Sequence, residues 1–134
     1  MAFLIHSTDD GRACPWEYKP ASAIQPKIGM ALVESSGKLA IATGTTKPTY
    51  ICMTQTDAAV TAGTIIPVIK VQPDIVFETE LYFSSPTTSP NDGDKVTLHA
   101  SDGMSVTGTT TSGVATIVAG GGSASGSTVR VRFI

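Results

Sequence analysis

Beyond Pro26 the chain is cut into short apolar runs separated by turn signals, and none of these runs has the length and 3.6-residue period of an amphipathic helix. Closely spaced runs of this kind are the mark of an all-β sandwich or barrel. IGMALV (residues 28–33) alternates Ile28, Met30 and Leu32 on one side, and ESSG (34–37) supplies a hairpin-type turn. KLAIA (38–42) returns with Leu39 and Ile41 inward, which makes this pair the clearest hairpin. TYICM (49–53) is a third strand, and TDAAVTAG (56–63) reads as one helical turn, capped by Thr56 or Asp57, or as a loop.

IIPVIKV (65–71) is almost continuously apolar. Because Pro67 has no N–H to give to a ladder, that strand is expected at an edge or bulge. DIVFETELYF (74–83) places Ile75, Phe77, Leu81 and Phe83 on one face and Glu78 and Glu80 on the other. SSPTTSPNDGD (84–94) is a polar connection whose Pro86 and Pro90 exclude helix and central strand. Residues 95–99, 113–120 and 128–133 are further strands, separated by SDGMS and the Gly-rich GGGSASGS, and residues 95–134 are a possible sub-lobe. In the last strand Val129, Val131 and Phe133 face one way and Arg130 and Arg132 the other.

Composition agrees with this pattern. Charged residues make up 15% of the 134 positions, below the usual quarter or so, while Ser and Thr are about a quarter and there are 13 Gly and 8 Pro. The length suits one domain, and no repeat of fixed period occurs. The expected fold is therefore all-β, a small β-barrel-like domain over residues 27–134 preceded by an extended N-terminal arm over residues 1–26. The arm carries Pro15, Pro20 and Pro26 and has no period. Its Phe3, Leu4, Ile5, Trp16 and Tyr18 are costly to leave in water. They either fold back onto their own domain or dock on another chain, as an added strand or as aromatic anchors. Fully extended, such an arm reaches at most about 85–95 Å, enough to touch a neighbouring subunit.

The function classes narrow by elimination. A net charge of −2 and scattered Lys and Arg give no electrostatic footprint for nucleic acid. The N-terminus lacks the pattern of a signal peptide, and no stretch approaches the roughly 18 apolar residues of a membrane span, so use in the cytosol or release by lysis is expected. Cys14 and Cys52 do not form a secreted disulfide framework. His6 and His99 have no partner at metal spacing, and His6, Asp9, Asp10 and Cys14 match no ligand motif. No G-x-S-x-G elbow accompanies the many serines. Glu78 and Glu80 share a strand face as glycosidase carboxylates might, but a solvent-facing strand explains them better. GGGSAS (120–125) lacks the Lys of a phosphate loop and reads as a flexible loop tip. Asp92, Asp94 and Asp102 suit turns and not the twelve-residue calcium loop. No catalytic residue, metal or cofactor is expected.

GMALVESSGKLAIATGTTKPTYICM (29–53) followed by AGTIIPVIKVQPDIVFETEL (62–81) resembles the head decoration, or capsid cement, proteins of tailed bacteriophages. That family has an arm containing proline, a short strand, a Ser- or Gly-rich turn, a K-L strand and a GTT-type loop, similar here to Leu32, residues 35–39 and residues 44–46. The resemblance implies a β-tulip fold and a homotrimer on the exterior of a phage capsid. It also implies the major capsid protein as partner, a place in the virion after assembly in the host cytoplasm, and no enzyme activity. Residues 84–134 exceed the family's pattern, which leaves room for an outward-facing lobe or another symmetry. A host- or glycan-binding module of a phage head or tail fibre is the alternative, suggested by the Thr- and Gly-rich C-terminal loops, where Phe133 is the only aromatic beyond Phe83.

Overall fold

Alternation of period two resolves into two antiparallel sheets in the computed structural model, which describes residues 2–84 and 88–134. The first sheet runs in the order β1 (Leu4–Thr8), β7 (Ile75–Tyr82), β11 (Thr128–Arg132), β10 (Ala115–Ala119) and β8 (Lys95–Val96). A short parallel strand, β9 (Val106–Thr107), pairs with the end of β7 at Leu81 and Tyr82. The second sheet runs β2 (Trp16–Pro20), β6 (Ile65–Lys70), β5 (Tyr50–Cys52), β3 (Ala31–Ser35) and β4 (Lys38–Ile41). Among the described residues there is no helix, so residues 56–63 are a loop, held by the Val60 N–H on the Ile24 carbonyl.

The two sheets do not close into the expected barrel. Among the described residues one bridge, Ala21 to Leu39, ties the ends of the five-stranded sheet together, and a single bridge without a ladder does not make a continuous wall. The middle of that sheet is instead buried on both faces. Ala31, Ile51 and Ile69 point into a core shared with Phe77, Val131 and Phe133 of the first sheet. Their strand neighbours Leu32, Tyr50, Cys52 and Val68 point the other way into a second core with Met30, Leu39 and Ile66. Burial on both faces is why residues 65–71 are almost continuously apolar.

The same strand corrects the expectation for Pro67. β6 is central, paired with β2 on one side and β5 on the other. Its ladder with β5 covers Val68 to Lys70, so Pro67 lies one residue past that ladder's end. There its carbonyl accepts the Met53 N–H at 3.0 Å, and the one bond its missing donor forgoes falls at the ladder's end, where the loss costs least.

The first 26 residues do not project as an arm. β1 pairs with β7 and β2 with β6, and Phe3 is 1% exposed, edge-on to the Phe133 ring at 5.2 Å. An irregularity in the β1 register between Ile5 and Ser7 breaks the two-residue alternation that would have marked the strand. Residues 95–134 are likewise no separate lobe, because β11 sits between β7 and β10. Part of the 84–94 connection, residues 85–87, lies outside the described residues. The β3–β4 hairpin forms where expected, but β3 begins at Ala31 and leaves Ile28, expected inward, 46% exposed, and the turn is only two residues, with Ser35 opposite Lys38 and Ser36 and Gly37 at φ of 51° and 78°. Two positive φ angles in a two-residue loop are the type I′ geometry that follows the twist of the strands.

Candidate functional site: an apolar face along β2

β2 is an edge strand, and its alternation places Trp16, Tyr18 and Pro20 on one face. Opposite them on β6 stand Ile69, Pro67 and Ile65. Ile69 is buried, but Trp16, Tyr18 and Ile65 are 52%, 67% and 59% exposed, so the ladder carries a contiguous apolar face into solvent. Ile69 also lines an adjoining groove of about 260 Å³ with Leu4, Ile5, Ile28 and Met53. Large exposed apolar side chains gathered on one side of a small domain are the usual mark of an interaction surface.

Of the five arm residues singled out from the sequence, four thus lie at the surface. Trp16 and Tyr18 share a face, and Leu4 and Ile5 line the neighbouring groove. Phe3 does not belong with them, because its ring is part of the core between the sheets. The sequence reading places Ile28 inward and does not single out Ile65 or the half-buried Met53 for this surface, because their positions depend on which strands pair. On the opposite face of β2, Lys19 lies 3.6 Å from Glu34 and 5.0 Å from the centre of the Tyr50 ring.

The groups weighed for chemistry are engaged elsewhere. His99 Nδ1 lies 3.3 Å from both Ser101 Oγ and Asp102 Oδ1. A relay needs the two partners on opposite ring nitrogens, and here both address the same one. Glu78 pairs with Arg130 at 3.3 Å, and Glu80 accepts the Tyr82 hydroxyl. Asp92 accepts the Gly121 N–H at 2.7 Å, Asp94 that of Asn91 at 2.9 Å and Asp102 that of Met104 at 3.0 Å. Residues 120–125 are accordingly not a loose tip: Gly121 rests on the 91–94 turn, and Ser125 Oγ accepts the Phe83 N–H at 3.0 Å.

His6 contacts Ser7, Asp9 is held by Arg132 and Asp10 by Arg12, so the four N-terminal candidates do not converge. Among the described residues no three His, Cys, Asp or Glu side chains are grouped to hold a metal. A polar cleft of about 250 Å³ between the β1–β2 and β6–β7 connections is lined by Asp10, Arg12, Cys14, Glu17, Lys70 and Asp74. Both cysteines are free thiols. Burial first, and then the carboxylates of Asp74 and Asp10, push the Cys14 thiol above its ordinary range, the reverse of what a nucleophilic cysteine needs. No protein-family model matches this chain, and no curated protein matches it either.

Proposed function

We propose that this protein is a structural binding module that decorates the outside of a phage head and cements neighbouring subunits of the major capsid protein. The observation that carries a binding role is the exposed Trp16, Tyr18 and Ile65 face, which is rigidly mounted on paired strands. Aromatic anchors on rigid strands dominate protein interfaces because little side-chain entropy is lost when they dock. The capsid as partner rests on the resemblance of residues 29–53 and 62–81 to decoration proteins, and that resemblance adds three copies about a capsid three-fold. Many copies, each with a modest contact, would hold a shell through avidity.

The test mixes purified protein with undecorated phage heads and images the particles. Saturable density at three-fold or quasi-three-fold positions is expected. Trp16→Ala with Tyr18→Ser should weaken binding at least about tenfold, the size of loss typical when anchors are truncated. Wild-type protein that leaves the heads bare overturns the reading. Density confined to fibres moves the protein to the alternative, a host- or glycan-binding module.

A further inference from the structure

The free edge of β2 is complementary to itself. The Pro67 carbonyl is turned toward Met53 and β5, so the Tyr18 to Pro67 pair on the other side of β6 is the non-hydrogen-bonded kind. Glu17 and Lys19 therefore direct their backbone groups to β6, as does Ala21, whose N–H reaches the Thr64 carbonyl at 2.8 Å. Trp16, Tyr18 and Pro20 direct theirs outward. Ser22, next in that outward series, already uses its N–H on the Leu39 carbonyl of β4. Upstream of that bridge no strand covers β2 among the described residues.

We propose that two copies of this chain associate by antiparallel pairing of β2 with β2 about a two-fold axis at Tyr18. In that register Tyr18 exchanges both backbone hydrogen bonds with its own copy, and the Trp16 N–H meets the Pro20 carbonyl of the other chain. Pro20 has no N–H to offer, and it stands at the end of the pairing, where a missing donor costs least. Glu17 falls opposite Lys19 of the second copy, twice by symmetry, in the non-hydrogen-bonded positions where side chains approach most closely. The next registers that still pair outward-directed backbone groups are two residues away and set Lys19 against Lys19 or Glu17 against Glu17, so like-charge repulsion disfavours them and charge selects this register. Trp16 packs against the second copy's Pro20 ring. Opposed residues of an antiparallel pair share a face, so the two Trp16 and Tyr18 faces merge into one apolar surface.

The contact is isologous and closes at two copies. It does not rest on the capsid reading; on a shell it would join one cluster of copies to the next, and in solution it yields a dimer. The test measures solution mass by sedimentation from micromolar to millimolar concentration for wild type and three variants. Wild type is expected to shift from monomer to dimer. Tyr18→Pro removes the outward N–H without touching the β6 ladder, and Glu17→Lys puts like charges face to face. Each should weaken dimerisation at least about tenfold while leaving the circular dichroism of the domain unchanged. Asp57→Lys, with the same charge change on an exposed loop, should leave the dimer intact. A wild type that stays monomeric throughout the range overturns the proposal. So does a dimer or trimer that survives both β2 variants, or a dimer lost equally in Asp57→Lys.

Discussion

Ser36 holds φ at 51°, a left-handed conformation that costs a non-glycine residue about 1 kcal/mol or more, and the β3–β4 turn demands it. Asn tolerates that conformation better, so Ser36→Asn should stabilise the fold by about 0.5–1 kcal/mol in urea denaturation. Gly113 is needed for a different reason. A Cβ there would lie 2.3 Å from the Lys95 backbone, and Gly113→Ala should cost about 2–3 kcal/mol. At the end of β1, Asp9 takes Arg132 with both oxygens at 2.7 and 3.0 Å, and this pairing depresses the Asp9 carboxyl below its ordinary range. A depressed folded pKa means stability that is present above the unfolded value of about 3.9 and lost as pH falls through the folded one. Asp9→Asn should therefore flatten the acid limb of the stability profile below about pH 4 and lower the plateau above it. Cys14 is raised by burial and then by Asp74 and Asp10, so Asp74→Asn should speed its alkylation at mildly alkaline pH.

At the scale of the element, the N-terminal strands belong to the fold. Phe3→Ala should cost about 3–5 kcal/mol, since it empties a ring-sized space beside Phe133. Deleting residues 1–26 should abolish the cooperative unfolding transition, because it strips β7 and β6 of their outer partners and opens both cores. A folded, stable remainder by circular dichroism would contradict that. The β3–β4 hairpin was legible because its alternation and its turn are local. β7 and β11 were legible for the same reason: each shows one apolar and one polar face, with Val129, Val131 and Phe133 buried as read. β1 and β2 were not. A bulge breaks the period of β1, the alternation of β2 spans only five residues beside prolines, and what makes them strands is the ladder each finds on a partner more than forty residues away in sequence. β9 is too short to leave any pattern.

For the molecule as a whole, the five-stranded sheet is shared by two cores, with Ile51 and Ile69 facing one and Leu32 and Val68 the other. A strand cannot lose one face and keep the other, so the cores should unfold together. Leu32→Ala and Phe77→Ala, one from each core, should each lower the same single transition, with Trp16 fluorescence and far-ultraviolet circular dichroism coinciding. Separate transitions would show independent units. The sequence by itself determined the all-β class, the alternation of the central and C-terminal strands and the hairpin turn, and it singled out five N-terminal apolar residues, of which Leu4, Ile5, Trp16 and Tyr18 lie at the surface. Those features rest on local chemistry: side-chain period, turn residues and the scarcity of charge. Tertiary structure alone decided that two sheets stack without closing, that Pro67 sits inside a sheet, that Phe3 is core, and that Trp16, Tyr18 and Ile65 share one face. These depend on which distant strands pair, and pairing is settled by the burial that the whole chain achieves together.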